Sequence, residues 1–317
     1  MVGSLAVGAF PLAPGDIARV LWATVGGAAE ASDSARAVVL EIRGPRIAAA
    51  LAVGAALGVA GAALQGVFRN PLVSPDILGV SSGCALGAVL GILLGLPLAA
   101  MQGFAFAGGL AAAALVLAIG SRVRGADPVL TLVLTGIVVG SLFSAGVAFA
   151  KTVADPYNQL PAITFWLLGS FAGVMPRDLG LALPLMLLGL VPLVALRWRV
   201  DVLALSEDEA RALGLDVGRL RLAIIGAATL VTAAAVAIAG IIGWVGLVVP
   251  HAARLLAGPG FARVMPVAAI LGAGFMLVVD TLCRTVAQSE IPPGVVTALV
   301  GTPAFIALLA ASARRAP

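Results

Sequence analysis

The chain alternates long apolar stretches with short polar breaks. Apolar runs cover residues 47–67, 77–97, 99–120, 129–150, 179–197, 221–241, 243–257, 264–286 and 295–312. Most approach the ~20 residues that carry a helix across a bilayer. They are continuous, which excludes the alternating ~10-residue strands of a transmembrane barrel. A further segment, Gly3 to Leu12, is half a span and reads as the tail of a helix whose start lies outside this sequence. Counting it, the pattern predicts ten crossings. The apolar piece Ala162 to Phe171 is too short to cross and is expected to be re-entrant or interfacial.

Two polar breaks stand out. The first is "QGVFRNPLVSPDILGVSSG", residues 65–83. Pro71 and Pro75 forbid a continuous helix there. At membrane depth, non-helical backbone survives only buried in protein or lining a wet cavity. The second is "LALSEDEARALGLDVGRLRL", residues 203–222, which predicts a short soluble helix between two spans. Ser206 and Glu209 form a capping box. Glu207 and Asp208 place negative charge in the first turn, where the helix dipole favours it. Gly214 terminates the helix, and Asp216 caps the next one. A bare connection needs fewer residues, so Ala210 and Leu213, on one side of this helix, are expected to face a partner.

Composition settles the broad class. The chain is 61% hydrophobic and 11% charged, against roughly 45–50% and 25% in soluble domains. With a mean hydropathy of +1.13, it lacks the polar surface of a water-soluble protein of this size. No cleavable signal peptide with a basic n-region is visible. The nineteen basic residues set orientation. With both ends cytoplasmic, Arg69, Arg122, Arg124, Arg197, Arg199, Arg211, Arg219, Arg221, Arg254, Arg263, Arg314 and Arg315 fall inside. Arg19, Arg36, Arg43, Arg46, Lys151, Arg177 and Arg284 fall outside. The inner excess is the sign expected of the positive-inside rule, so a pI near 10.0 needs no nucleic-acid partner. Cys84 and Cys283 sit in apolar runs and read as packing residues. Gly79, Gly83, Gly87, Gly91 and Gly95 recur every four residues, a stripe along which another helix can approach closely; the pairs Gly54/Gly58 and Gly136/Gly140 repeat the spacing.

Catalytic signatures are absent. The sequence has no HExxH, CxxC or GxSxG, and its one lysine, Lys151, follows Ala148-Phe149-Ala150. It therefore lacks the phosphate-cradling GxxxxGK[ST] loop and is expected to be neither an enzyme nor an ATPase. Of fifteen acidic residues, Asp280 alone lies clearly within a span, and Arg284, one turn on, can neutralise it. Ion-coupled carriers place acidic groups deep in their spans. A carrier with no motor and no coupling carboxylate takes its energy from a partner.

Four blocks, "ALQGVFRNPLVSPDILGVSSG", "LALSEDEARALGLDVGRLR", "GWVGLVVPHAARLL" and "IPPGVVTALVGTPAFIALL", span residues 63 to 309. Together they resemble the permease subunits of bacterial ABC importers for iron chelates, haem and cobalamin, the FecCD-like or type II importer family. The resemblance implies an all-α, polytopic, ten-transmembrane-helix permease fold. It implies one permease domain over 1–317 with a coupling-helix segment at 203–220, in a multi-pass protein of the bacterial inner membrane. It further implies a homodimer with the cargo passing between the copies. Two ATP-binding cassette ATPase subunits would carry ATP and Mg, and a periplasmic binding protein would deliver substrate, with no cofactor or metal bound by this chain.

Residue roles follow from the same resemblance. Arg43 and Arg46 in "EIRGPRIAAAL", and Arg284 in "DTLCRTVAQSEIPPG", match residues that meet glutamates of the binding protein; arginine suits this through bidentate pairing. Ser206, Glu207, Asp208, Glu209, Ala210, Leu213 and Gly214 match the coupling helix that sits in a cleft on the ATPase. Asn70, Pro71 and Leu72 form the cytoplasmic gate, with Val129, Leu130 and Thr131 as a second layer. Thr135, Ser141 and Ser144, with the 162–171 segment, line the pathway. His251, in "PHAARLL", is expected to be structural. The "FWLLGSFAGV" stretch points to haem as cargo, with ferric siderophore or cobalamin as the alternatives. A secondary transporter or a channel is the more distant alternative, distinguished by transport or current without ATPase subunits.

Overall fold

A computed structural model describes residues 2–313 except 7–9, 11, 25, 28–31, 124–126, 204 and 206, and no strand occurs among the described residues. The helices are α1 (Val2–Ala6), α2 (Pro14–Thr24), α3 (Asp33–Ala37), α4 (Gly44–Val67), α5 (Val80–Leu93), α6 (Leu98–Gly120), α7 (Pro128–Val153), α8 (Gln159–Leu168), α9 (Pro176–Ala195), α10 (Arg197–Val202), α11 (Glu207–Ala212), α12 (Val217–Ala239), α13 (Val245–Ala257), α14 (Phe261–Thr285) and α15 (Pro293–Ala313). A π-helical turn, Val38–Arg43, joins α3 to α4, and a 3-10 turn, Pro75–Leu78, precedes α5.

Every one of the nine long apolar runs is helical. Six stretches are long and apolar enough to cross a membrane, namely Asp33–Val67, α6, α7, α9, α12 and α14, so the chain is a multi-pass membrane protein. Two predicted crossings are shorter than expected. α5 has 14 residues and α13 has 13, each about 20 Å at 1.5 Å per residue, against a hydrocarbon core of ~30 Å. Both start from broken backbone: Gly79 before α5 has φ 70°, and Gly240 and Trp244, which flank the break before α13, also have φ 70°. The unwound residues Ile241 and Ile242 are themselves apolar, so hydropathy does not reveal the break. α2 was not anticipated. Its Ile17 and Val20 pack with Leu5, Leu12, Val39 and Ile47 in a small satellite core. The expected helical tail over Gly3 to Leu12 is helical from Val2 to Ala6, while residues 7–9 and 11 lie outside the described residues.

The centre of the bundle is α4 and α12, each with 78% of its apolar window buried. α4 runs antiparallel to α14: Gly54 lies against the Gly272 carbonyl and Gly58 against that of Ala268. Of the glycine stripe on α5, Gly83, Gly87 and Gly91 lie against Gly108, Phe104 and Met101 of α6, the close approach that small residues allow. Gly79 and Gly95 instead turn the backbone at the helix ends. A Gly54→Leu change would drive a side chain into carbonyl oxygens that cannot move aside. It is expected to destabilise the protein by about 3 kcal/mol or more, the upper end of overpacking costs, and to lower the melting temperature in detergent. Gly103→Ala, where a Cβ meets nothing within 4 Å, is the control and should melt within ~1 kcal/mol of wild type.

Candidate functional site

The loop expected to form the gate is built from the end of α4. The helix stops before either proline: Phe68 N–H bonds to Leu64 O, Asn70 N–H to Gln65 O, and Arg69 adopts φ 49°. This is a Schellman-type end, where glycine is usual. A left-handed arginine costs about 1–2 kcal/mol, offset by Arg69 Nε donating to Leu203 O at 2.7 Å. Asn70 Oδ1 accepts from Leu72 N–H at 2.9 Å, folding the tip on itself. Gln65 Nε2 donates to Val73 O at 3.0 Å, and Arg254 of α13 donates to Gln65 Oε1. The root of the loop is therefore gripped, while Asn70, Pro71 and Leu72 are exposed. Beyond the tip, the Ile77 carbonyl lies on Gly136 of α7.

The first turn of α7 only partly fits the expected second layer. Asp127 caps it, its Oδ1 accepting from Val129 and Leu130 N–H at 2.7 and 2.9 Å. Leu130 is exposed, but Val129 packs against the main core, and Thr131 is buried with its hydroxyl donating to Asp127 O at 2.9 Å. The helical repeat turns these three side chains in different directions, so the layer narrows to Leu130.

The outward face of α7 continues from there. Leu134, Ile137, Val138, Leu142 and Phe149 are more than half exposed, beside the exposed Ser141 and Ser144 and the half-buried Thr135. Ser141 donates to Ile137 O at 2.8 Å, and Ser144 reaches Ser82 Oγ at 3.3 Å. α8 has 10 residues, too few to cross, as the sequence implied. Its end is tied to the break before α13, where Ser170 N–H donates to Ala239 O at 2.9 Å.

On the side of the Arg69 loop, Leu203 leads into α11. Ser206 lies outside the described residues, as do the side chains of Glu207 and Asp208. Gly214 ends the turn with φ 78°, and Asp216 Oδ1 accepts from Arg219 N–H at 3.0 Å to start α12. The expected contact face needs correction. Ala210 is 1% exposed and packs inward, whereas Glu209 and Leu213 point out. Ala210 anchors the element; Leu213 is the apolar residue it presents. His251 is buried, its ring edge-to-face with Phe305 at 6.2 Å between centroids. Cys84 and Cys283 are buried and unpaired with each other.

The opposite end of the bundle carries the arginines. Two of them are buried: Arg43 is 5% exposed and Arg46 7%. Arg43 clamps the N-terminal segment, donating to Leu5 O and Phe10 O at 2.5 Å each. Arg46 Nε donates to Asp280 Oδ1 at 2.7 Å, and its terminal nitrogens reach the Glu290 carboxylate. Arg284 Nε bonds Asp280 Oδ2 at 3.1 Å, the one-turn pairing expected of the sequence, and its Nη2 donates to Ser4 Oγ at 2.8 Å. Asp280 is 0% exposed and holds both guanidiniums. Burial leaves these groups needing partners, and the bundle supplies them. Glu290 was not singled out from sequence. The signal available was electrostatic: three arginines converge where one in-span acid offers only one negative charge.

The described residues thus form a helical bundle with two helices broken inside it, a stapled loop and a short helix at one end, and a cluster of buried arginines at the other. The profile of the FecCD transport family matches residues 1–311. The chain belongs to that family and is a permease subunit of an ABC importer. It is 39% identical over 303 residues to the molybdate import system permease protein MolB of Haemophilus influenzae, covering 95% of this chain and 89% of that one. It is 42% identical over 278 residues to the cobalamin import system permease protein BtuC of Halobacterium salinarum, covering 87% and 74%. It is 36% identical over 319 residues to the hemin transport system permease protein HmuU of Yersinia pestis, covering 97% and 91%. Among solved structures, a metal-chelate type ABC transporter in an inward-facing conformation superposes with a TM-score of 0.87 at 37% identity, covering 97% of this chain and 94% of that one. The type II permease fold is thereby established.

Proposed function

We propose that two copies of this chain form the pathway of an importer in the bacterial inner membrane. Two ATP-binding cassette subunits carrying ATP and Mg drive it, and a periplasmic binding protein feeds it. The cargo is a metal chelate, with haem the first candidate. The observation that carries this reading is the outward face of α7, an apolar strip that begins at the gate loop and offers hydroxyls but no charge from Thr131 to Ala150. Such a face suits a bulky, largely apolar body passed along without tight binding. A bare oxyanion such as molybdate, the cargo named for one relative, asks instead for several hydrogen-bond donors; here the Ser141 hydroxyl already donates to its own helix. Cobalamin and ferric siderophores share the chelate character and rank next.

Asn70 and Leu72, with Leu130, serve as the cytoplasmic gate in this reading. Leu213 and Glu209 meet the ATPase, with Ala210 holding the helix in place. Arg43, Arg46 and Arg284 line the docking site for the binding protein at the other end. The decisive experiment reconstitutes the chain with its ATPase subunits and binding protein in liposomes and offers haem, a ferric siderophore, cobalamin and molybdate in turn. ATP-dependent haem uptake exceeding that of the others is the expected result. Uptake of molybdate alone would overturn the chelate reading. Transport by the chain without ATPase subunits would make it a secondary carrier, and current without any partner would make it a channel.

A further inference from the structure

The arginine end contains a residue whose position the docking role does not require. Asp280 is inside the bundle and braces both Arg46 and Arg284 from behind. Glu290 differs. It stands on the connection between α14 and α15, its side chain one-third exposed, and takes the two terminal nitrogens of Arg46 in fork geometry. It also forms one wall of a cavity of about 320 Å³, whose other charged walls are Arg43, Arg46 and Arg284. We infer that Glu290 is the resident occupant of the seat that an acidic side chain of the binding protein takes, so that docking is an exchange of one carboxylate for another on Arg46.

Charge and geometry both favour exchange. Among the described residues, three guanidiniums share two carboxylates in this cluster, so an incoming acid meets a net positive site. Bidentate pairing with Arg46 is available to any carboxylate that reaches the cavity. Asp280 stays on Arg46 Nε throughout, and an exchange keeps the two terminal nitrogens, which Glu290 now takes, from being left buried without an acceptor. Release of Glu290 also loosens the 286–292 connection, which is tied to α14 through Ile291 N–H on Cys283 O at 3.1 Å. That connection feeds α15, whose Gly294 abuts the carbonyls of Leu168 and Ile241, at the end of α8 and at the break before α13. Docking thereby gains a path to the segments beside the pathway.

This inference rests on the docking reading, and the experiment separates the two. The transporter in nanodiscs is titrated with the labelled binding protein that stimulates its ATP hydrolysis. Glu290→Gln removes the competing charge but still accepts from Arg46. It should bind about fivefold tighter, the size of a partly exposed ion pair, with a near-wild-type melting temperature. Gln288→Glu adds a negative charge to the cavity wall without touching the buried pairs and should weaken docking. A nitroxide at Gln288→Cys should gain mobility when the binding protein docks. Unchanged or weaker binding by Glu290→Gln, or an unchanged nitroxide, overturns the exchange while docking at this end stands. Binding unaffected by Gln288→Glu places docking elsewhere and overturns both.

Discussion

Asp280→Ala is expected to eliminate most of the folded protein. The carboxylate has no exposed surface, and the guanidiniums of Arg46 and Arg284 converge on its two oxygens at 2.7 and 3.1 Å. Removing one member of a buried charge cluster costs about 3–5 kcal/mol, because the charges left behind cannot be hydrated. A folded domain is stable by only about 5–15 kcal/mol in total, and this cluster ties α14 to α4, the central helix. Fluorescence-detected size exclusion should show loss of the monodisperse peak, with Asp280→Asn intermediate because an amide oxygen still accepts one bond. The triple replacement Arg46→Met, Asp280→Leu, Arg284→Leu should restore folding, since apolar side chains of similar volume replace such clusters at little cost. Wild-type yield and melting temperature for Asp280→Ala would show that water, not protein, pairs the arginines.

What the sequence disclosed and what it hid follow one division. Features set by neighbours in the chain were legible. The Asp216 cap, the Gly214 stop and the Asp280–Arg284 pair each depend on residues within one turn, and the nine apolar runs each proved helical because burial of a long apolar stretch leaves the backbone no other way to satisfy itself. Features set by distant partners were not. Arg46 meets Asp280 across 234 residues and Glu290 across 244, so nothing local showed that its guanidinium is buried between two carboxylates. Ala210 and Leu213 do share a helix side by spacing, but which of them turns toward the permease is decided by what α11 rests on. The breaks before α5 and α13 were half visible. Pro75 announced the first, whereas the second passes through Ile241 and Ile242, which look like any other membrane-spanning residues. The arginine at the end of α4 is a further case: the prolines foretold a break, but the turn falls at Arg69, two residues earlier, because the Leu203 carbonyl is there to receive it.

Cross-linking Leu72 to its counterpart in a second copy is expected to stop ATP-driven uptake. Leu72 is 54% exposed, and its amide is what bonds to Asn70 Oδ1, so Leu72→Cys leaves the turn intact where Asn70→Cys would not. The native thiols, Cys84 and Cys283, are both buried, which makes the new one the reactive site. The root of the loop is held by Gln65, Arg254 and the Arg69–Leu203 bond. A tip that gates the pathway would then have to swing as a unit about the stretch next to Pro71, and a bond between two tips would forbid that swing. Oxidation should bring uptake to background and reduction should restore it. A Leu187→Cys variant, also exposed but on α9, should be indifferent to oxidation. The Arg69–Leu203 bond joins this loop to the segment that leads into α11. A locked tip should for that reason also depress the stimulation of ATP hydrolysis by binding protein, which distinguishes a gate from a mere obstruction. Quantitative disulfide formation with undiminished uptake would exclude this loop as the gate.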